Sequence, residues 1–178
     1  MKVVAERVDR EFVSALDWLQ ESYRTFTFFV ERDIVWTLQL KVRGLLQEAG
    51  LAVRVFNDYG ILPGNRRSLS ADLAVVDNEG SVVVAAEFKY EPAHSRTDIP
   101  SSKFPVVFWG DDGVGKDVAR VREFVEKGAA TIAHSFFIDE GGAFRHRLPH
   151  QGSRWCPWGG DVWVLCADAK GVAPIDDA

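Results

Sequence analysis

The amino-acid sequence predicts an α/β fold, with a mixed central sheet flanked by helices, and three observations carry that expectation. Helical periodicity dominates the chain as far as Gly50, a hairpin apolar on both faces lies near the middle, and a further helix followed by strand-like runs completes the order. A sheet buried on both sides needs helices to cover it.

Asp9 is placed to cap a first helix running to about Tyr23, in which Phe12, Val13, Leu16, Leu19 and Tyr23 recur at helical spacing as one apolar stripe. After the aromatic link Thr25-Phe26-Thr27-Phe28-Phe29, a second helix is expected over roughly Val30 to Ala49. Its apolar positions are Ile34, Val35, Leu38, Val42, Leu45 and Leu46, and Gly50 ends it. Glu31 stands three, four and seven residues before Ile34, Val35 and Leu38, so it projects from the core-facing side. Two roles are open to it: favouring the helix dipole from the first turn, or pointing at a site shared with other acids.

Ala52 to Phe56 alternates as a strand does, and Tyr59 to Ser70 reads as a Gly/Pro/Asn loop carrying Arg66 and Arg67. Next, Leu73 to Val76 and Val82 to Ala86 flank the turn-forming Asn78-Glu79-Gly80, a hairpin signal. A loop with an even number of residues, centred between Glu79 and Gly80, sets Asp72 opposite Glu87 and puts Lys89 on the same face. Ala74, Val76, Val83 and Ala85 then share the charged face, and Leu73, Val75, Val84, Ala86 and Phe88 take the other. Two carboxylates and an ammonium at the mouth of a buried hairpin are costly unless they pair or coordinate a cation. The spacing alone leaves a structural Asp/Glu/Lys network equally open.

A polar segment with His94, Arg96 and Asp98 follows, then the apolar Phe104 to Trp109, readable as a short strand or as buried coil. Lys116 or Asp117 opens a helix to about Lys127, with Val118, Val121, Phe124 and Val125 on its buried side. Ala130 to Ile138 reads as a strand, Asp139-Glu140-Gly141-Gly142 as a turn, and Asp161 to Cys166 as a last strand. The expected organisation is one domain over residues 1–178, with its core at about 30–138 and a flexible tail at about 167–178.

Composition narrows the function. No apolar run reaches the length of a membrane span and the N-terminus lacks a signal-peptide core, so a cytoplasmic protein without a membrane partner is expected. Cys156 and Cys166 lack metal-site spacing and read as reduced thiols. The net charge of -5 argues against a generic nucleic-acid coat, so any polyanion must meet a local patch. Arg145, Arg147 and Arg154, beside Trp155 and Trp158 and with no acid between Gly142 and Gly160, form one candidate; a basic loop anchored by its tryptophans is the other reading. Arg66 and Arg67 form a second candidate patch. Gly110 to Lys116 matches the first seven places of G-x-x-x-x-G-K, but Asp117 stands where the motif needs a hydroxyl, which argues against nucleotide binding.

Glu31 on a helix, Ala71-Asp72, and Glu87-Phe88-Lys89 beyond fourteen intervening residues resemble the PD-(D/E)xK nuclease superfamily, which has the restriction-endonuclease-like fold. The order helix, three strands, helix, strand is similar to that core, with an extra N-terminal helix and C-terminal strand, and its later helix carries Arg120. Ala71 replaces the family's proline, at a position that shapes backbone and supplies no ligand. The resemblance implies Asp72 and Glu87 as ligands of Mg²⁺ or Mn²⁺, the Phe88 carbonyl as a further ligand, Glu31 as an auxiliary carboxylate, and Lys89 as the group that positions the attacking water. Oxygen ligands do suit a hard cation. The activity implied is metal-dependent hydrolysis of phosphodiester bonds in nucleic acid, DNA favoured over RNA. The alternative is a catalytically silent nucleic-acid-binding or assembly module on the same fold.

Overall fold

The computed structural model describes residues 2–62 and 69–171. Three helices, α1 (Lys2–Ser22), α2 (Glu31–Glu48) and α3 (Val114–Glu126), pack on six strands: β1 (Val53–Leu62), β2 (Leu69–Asp77), β3 (Val82–Glu91), β4 (Ile132–Asp139), β5 (Ser153–Gly159) and β6 (Val162–Lys170). The sheet is open, in the order β1-β2-β3-β4-β6-β5. Every pairing is antiparallel except β3 with β4, so the sheet is mixed, as the apolar hairpin predicts. A parallel pair needs a crossover, and α3 lies within it.

The central strands are buried along almost their whole length because both faces are covered. Phe12, Leu19, Ile34 and Leu38 of α1 and α2 pack on Val84, Ala86, Phe88 and Ile138. On the other face Val121 and Phe124 of α3 meet Ala74 and Ala85, and Val118 meets Phe137 and Leu165. Each large side chain so enclosed contributes about 1.5–3 kcal/mol relative to leaving it in water.

Several boundaries differ from expectation. α1 opens at Lys2 instead of near Asp9, because Ala5 and Val8 extend the buried stripe toward the N-terminus; Val13 turns outward and Ala15 is buried. Asp9 is therefore no cap. Its carboxylate meets His134 Nε2 at 2.8 Å and Lys170 Nζ at 2.7 Å. Burial alone would raise its pKa, but these two partners outweigh burial and hold it below the ordinary value.

Both ends of the stretch expected to be loop are strand: β1 runs on to Leu62 and β2 begins at Leu69, pairing Tyr59 with Ala71 and Gly60 with Ser70. Arg66 and Arg67 lie outside the described residues. Phe104 to Trp109 is irregular coil, and it is not uniformly buried, since Val106 and Phe108 are 77% and 61% exposed. Ser153–Gly159, read as a basic loop, is an edge strand, the position in which a sheet tolerates Pro157. The last strand does not fray after Cys166: Ala167 to Lys170 stay paired with Ser135 to Ile132 of β4. Among the described residues no helix is long and apolar enough to cross a membrane.

Candidate functional site

The turn between β2 and β3 decides where the acids point. It holds three residues, Asn78 to Gly80, between Asp77 and Ser81, and the Asp77 N–H donates to the Ser81 carbonyl at 3.0 Å. Asp77 Oδ1 also accepts from the amides of Glu79 and Ser81, at 2.9 and 2.8 Å. An odd turn of this kind would by itself rotate Glu87 to the wrong face. Val83 compensates by bulging out of the ladder: Val76 pairs with Val82, Val75 with Val84, and Leu73 with Ala86. Continued one step, that register sets Asp72 opposite Glu87, and the Phe88 amide donates to Asp72 Oδ2 at 2.7 Å. The expected even loop is thus replaced by an odd turn plus a bulge. The bulge also exchanges two valines, sending Val83 to the α1/α2 side and Val82 to the α3 side.

Lys89, two residues beyond Glu87, lies on the same face, where α3 brings Asp117 and Arg120. Lys89 Nζ is 3.5 Å from Asp117 Oδ2 and 3.7 Å from Glu31 Oε2. Arg120 Nη1 donates to Glu87 Oε2 at 2.8 Å and stands 3.9 Å from Asp117 Oδ1. Glu31 comes from the first turn of α2, in the layer across the sheet. That turn is fixed by Asp33, whose carboxylate accepts from the amides of Phe29 and Val30.

Burial governs the electrostatics. It pushes the Glu87 carboxyl up to about 8, Asp72 adds to the rise, and Arg120 opposes it. Burial likewise takes Glu31 to about 7 against the pull of Lys89. Asp72 is raised by burial despite its bond from the Phe88 amide, and nearby Asp58, held at a left-handed φ of 49°, adds to the effect. Burial would lower the Lys89 pKa, but Glu31, Asp117 and Asp72 together raise it, so the ammonium stays protonated.

Glu87 Oε1 and Asp117 Oδ2 are buried and have no hydrogen-bond partner. An orphaned carboxylate oxygen beside a second acid is the donor chemistry a hard cation takes, so Asp72 and Glu87 fit Mg²⁺ or Mn²⁺. As they stand, however, no three Asp, Glu, His or Cys side chains among the described residues form a group ready to hold a metal ion. Arg120 occupies one oxygen of Glu87, and Glu31 is turned to Lys89.

Asp117, Arg120 and Asp58 were not singled out as site residues by sequence reasoning. The available signal for Asp117 was an acid beside Val118 at the start of an otherwise apolar helix face. The arginines offered for nucleic acid are dispersed. Arg145 lies over the Trp163 ring, Arg147 over Trp109 and Phe144, and Arg154 reaches Asp168 on the opposite side of the sheet, in a cavity of about 390 Å³ shared with Asp9, Cys156 and Cys166. Both cysteines are free thiols. Comparison of the chain with protein-family models, with curated proteins and with solved structures returns no match.

Proposed function

We propose that the protein is a metal-dependent phosphodiesterase acting on nucleic acid, of the PD-(D/E)xK kind. The observation that carries the reading is the placement of Asp72 and Glu87 face to face on a central hairpin, with Lys89 beside them and one Glu87 oxygen left without a partner. The chain order also supports it: α2, an antiparallel β1-β2-β3 meander, α3, and β4 parallel to β3 agree with the core that the resemblance implies.

Asp72, Glu87 and the Phe88 carbonyl are the residues that would hold Mg²⁺ or Mn²⁺. Such an ion lowers the pKa of bound water and polarises the phosphodiester. Glu31 and Asp117 keep Lys89 charged and fix its ammonium at the mouth of the site, where it orients a water and offsets charge developing on the phosphoryl oxygens. A second reading draws on the same distances: Arg120 on Glu87, and Lys89 between Glu31 and Asp117, neutralise the cluster internally, as a silent binding module would.

Cleavage of single-stranded, duplex and branched DNA and of RNA, with and without Mg²⁺ or Mn²⁺, separates the two. Lys89→Ala is expected to slow cleavage by on the order of a hundredfold while changing substrate affinity little. Added Mg²⁺ should raise the melting temperature of the wild type and leave the Asp72→Asn/Glu87→Gln double variant unmoved. A folded, metal-bound wild type that cuts none of these substrates would establish the silent module instead.

A further inference from the structure

A helix packed on one side normally turns a polar surface to water, and on α2 that surface is interrupted by two large apolar side chains. Trp36 and Leu40 are 54% and 67% exposed, and Arg32 and Arg43 are exposed on the same side, four residues before Trp36 and seven after it. At its far end this side adjoins the edge strand β1, where a groove of about 570 Å³ passes from Arg43 and Gln47 round the sheet edge to Arg54 and Phe56, whose side chains project toward the α3 face. Arg54 lies over the Phe56 ring at 5.6 Å. Among the described residues Arg32, Arg43 and Arg54 make no ion pair, as Arg7, Arg10, Arg24, Arg122 and Arg147 make none, whereas Arg96, Arg120, Arg145 and Arg154 do. Asp33, the one acid of α2 between Arg32 and Arg43, is turned to backbone amides.

We propose that this side of α2 and the adjoining groove bind single-stranded nucleic acid, with phosphates on Arg32, Arg43 and Arg54 and a base stacked on Trp36. At a rise of about 1.5 Å per residue, the cations lie about 6 Å and about 10 Å along the axis on either side of the indole. Alternating charge and aromatic surface is what a strand without a fixed sequence requires. A protein partner seated on Trp36 and Leu40 would instead have to cover the unpaired guanidinium groups of Arg32 and Arg43. The track starts one residue from Glu31, so it deepens the phosphodiesterase reading, on which its direction rests, by naming a single-stranded extension as substrate class.

Fluorescein-labelled oligothymidylate of about 15 nucleotides, titrated by anisotropy without divalent cation, tests binding apart from cleavage. Trp36→Ala should weaken binding about tenfold and Trp36→Phe much less. Replacing Arg32, Arg43 and Arg54 by glutamine should reduce the slope of log Kd against log salt by about 2, near 0.7 per phosphate for a single strand. Unchanged affinity and slope in these variants, checked for folding by circular dichroism, would overturn the proposal. So would wild type that binds no oligonucleotide and self-associates through Trp36. Loss of binding in Trp36→Ala, alongside a wild type that cleaves nothing, would sustain this surface while removing the phosphodiesterase reading. Lys89-dependent cleavage with no effect of Trp36 would do the reverse.

Discussion

Asp117 is only 3% exposed, yet one of its oxygens lacks a hydrogen bond and its nearest ammonium, Lys89, is 3.5 Å away. It raises the carboxyl pKa of both Glu31 and Glu87, so it works against the metal-free fold while holding Lys89 in place. Asp117→Asn keeps the shape and removes the charge. The expected outcome is a higher melting temperature without metal and cleavage reduced about tenfold, read by calorimetry and turnover on the same preparation. Asp72, Glu87 and Lys89 were legible as a group because strand periodicity and one turn suffice to relate them. Asp117 and Asp58 were not, since their approach depends on how α3 and β1 pack, which no local pattern encodes.

The β2–β3 hairpin shows how an element can reach an expected register by an unexpected route. Apolar alternation and Asn78-Glu79-Gly80 located it, but the pattern could not reveal that the turn is odd and that Val83 absorbs the difference. Asp77 holds that turn through two amides, so Asp77→Ala should cost about 1 kcal/mol per bond lost in chemical denaturation. Cleavage should fall as well, because the turn sets the face of Glu87; full activity in this variant would mean that the register is fixed elsewhere. β5 escaped notice for the opposite reason. Its Pro157 and flanking glycines read as loop, and only membership of an edge strand, a property of the whole sheet, makes them compatible with pairing.

Across the molecule, the acids give stability a sign at each end of the pH scale. Asp9 has a lowered pKa, so its contribution is present above the ordinary 3.8 and lost as pH falls through the depressed value. Glu87 is raised from 4.5 to about 8, so its contribution is complete below 4.5 and lost as pH rises through about 8. Metal-free protein should therefore melt lower at about pH 9 than at about pH 6, Glu87→Gln should flatten that limb, and Mg²⁺ should restore more at the alkaline end. The succession of helices and strands along the chain, β5 excepted, was legible because burial on both faces leaves long apolar runs; the order of strands within the sheet was not, because pairing partners are chosen by tertiary packing. One tie spans most of the chain: Asp9 of α1 joins His134 of β4 and Lys170 of β6. On a ribosome, residues 31–120, which carry every acid and base of the candidate site, emerge well before Val162–Lys170. Until that last strand arrives, β4 has a bare edge beside Phe136 and Phe137, and Asp9 lacks its ammonium partner. The residues of the candidate site are thus made early, before the sheet that frames them is complete.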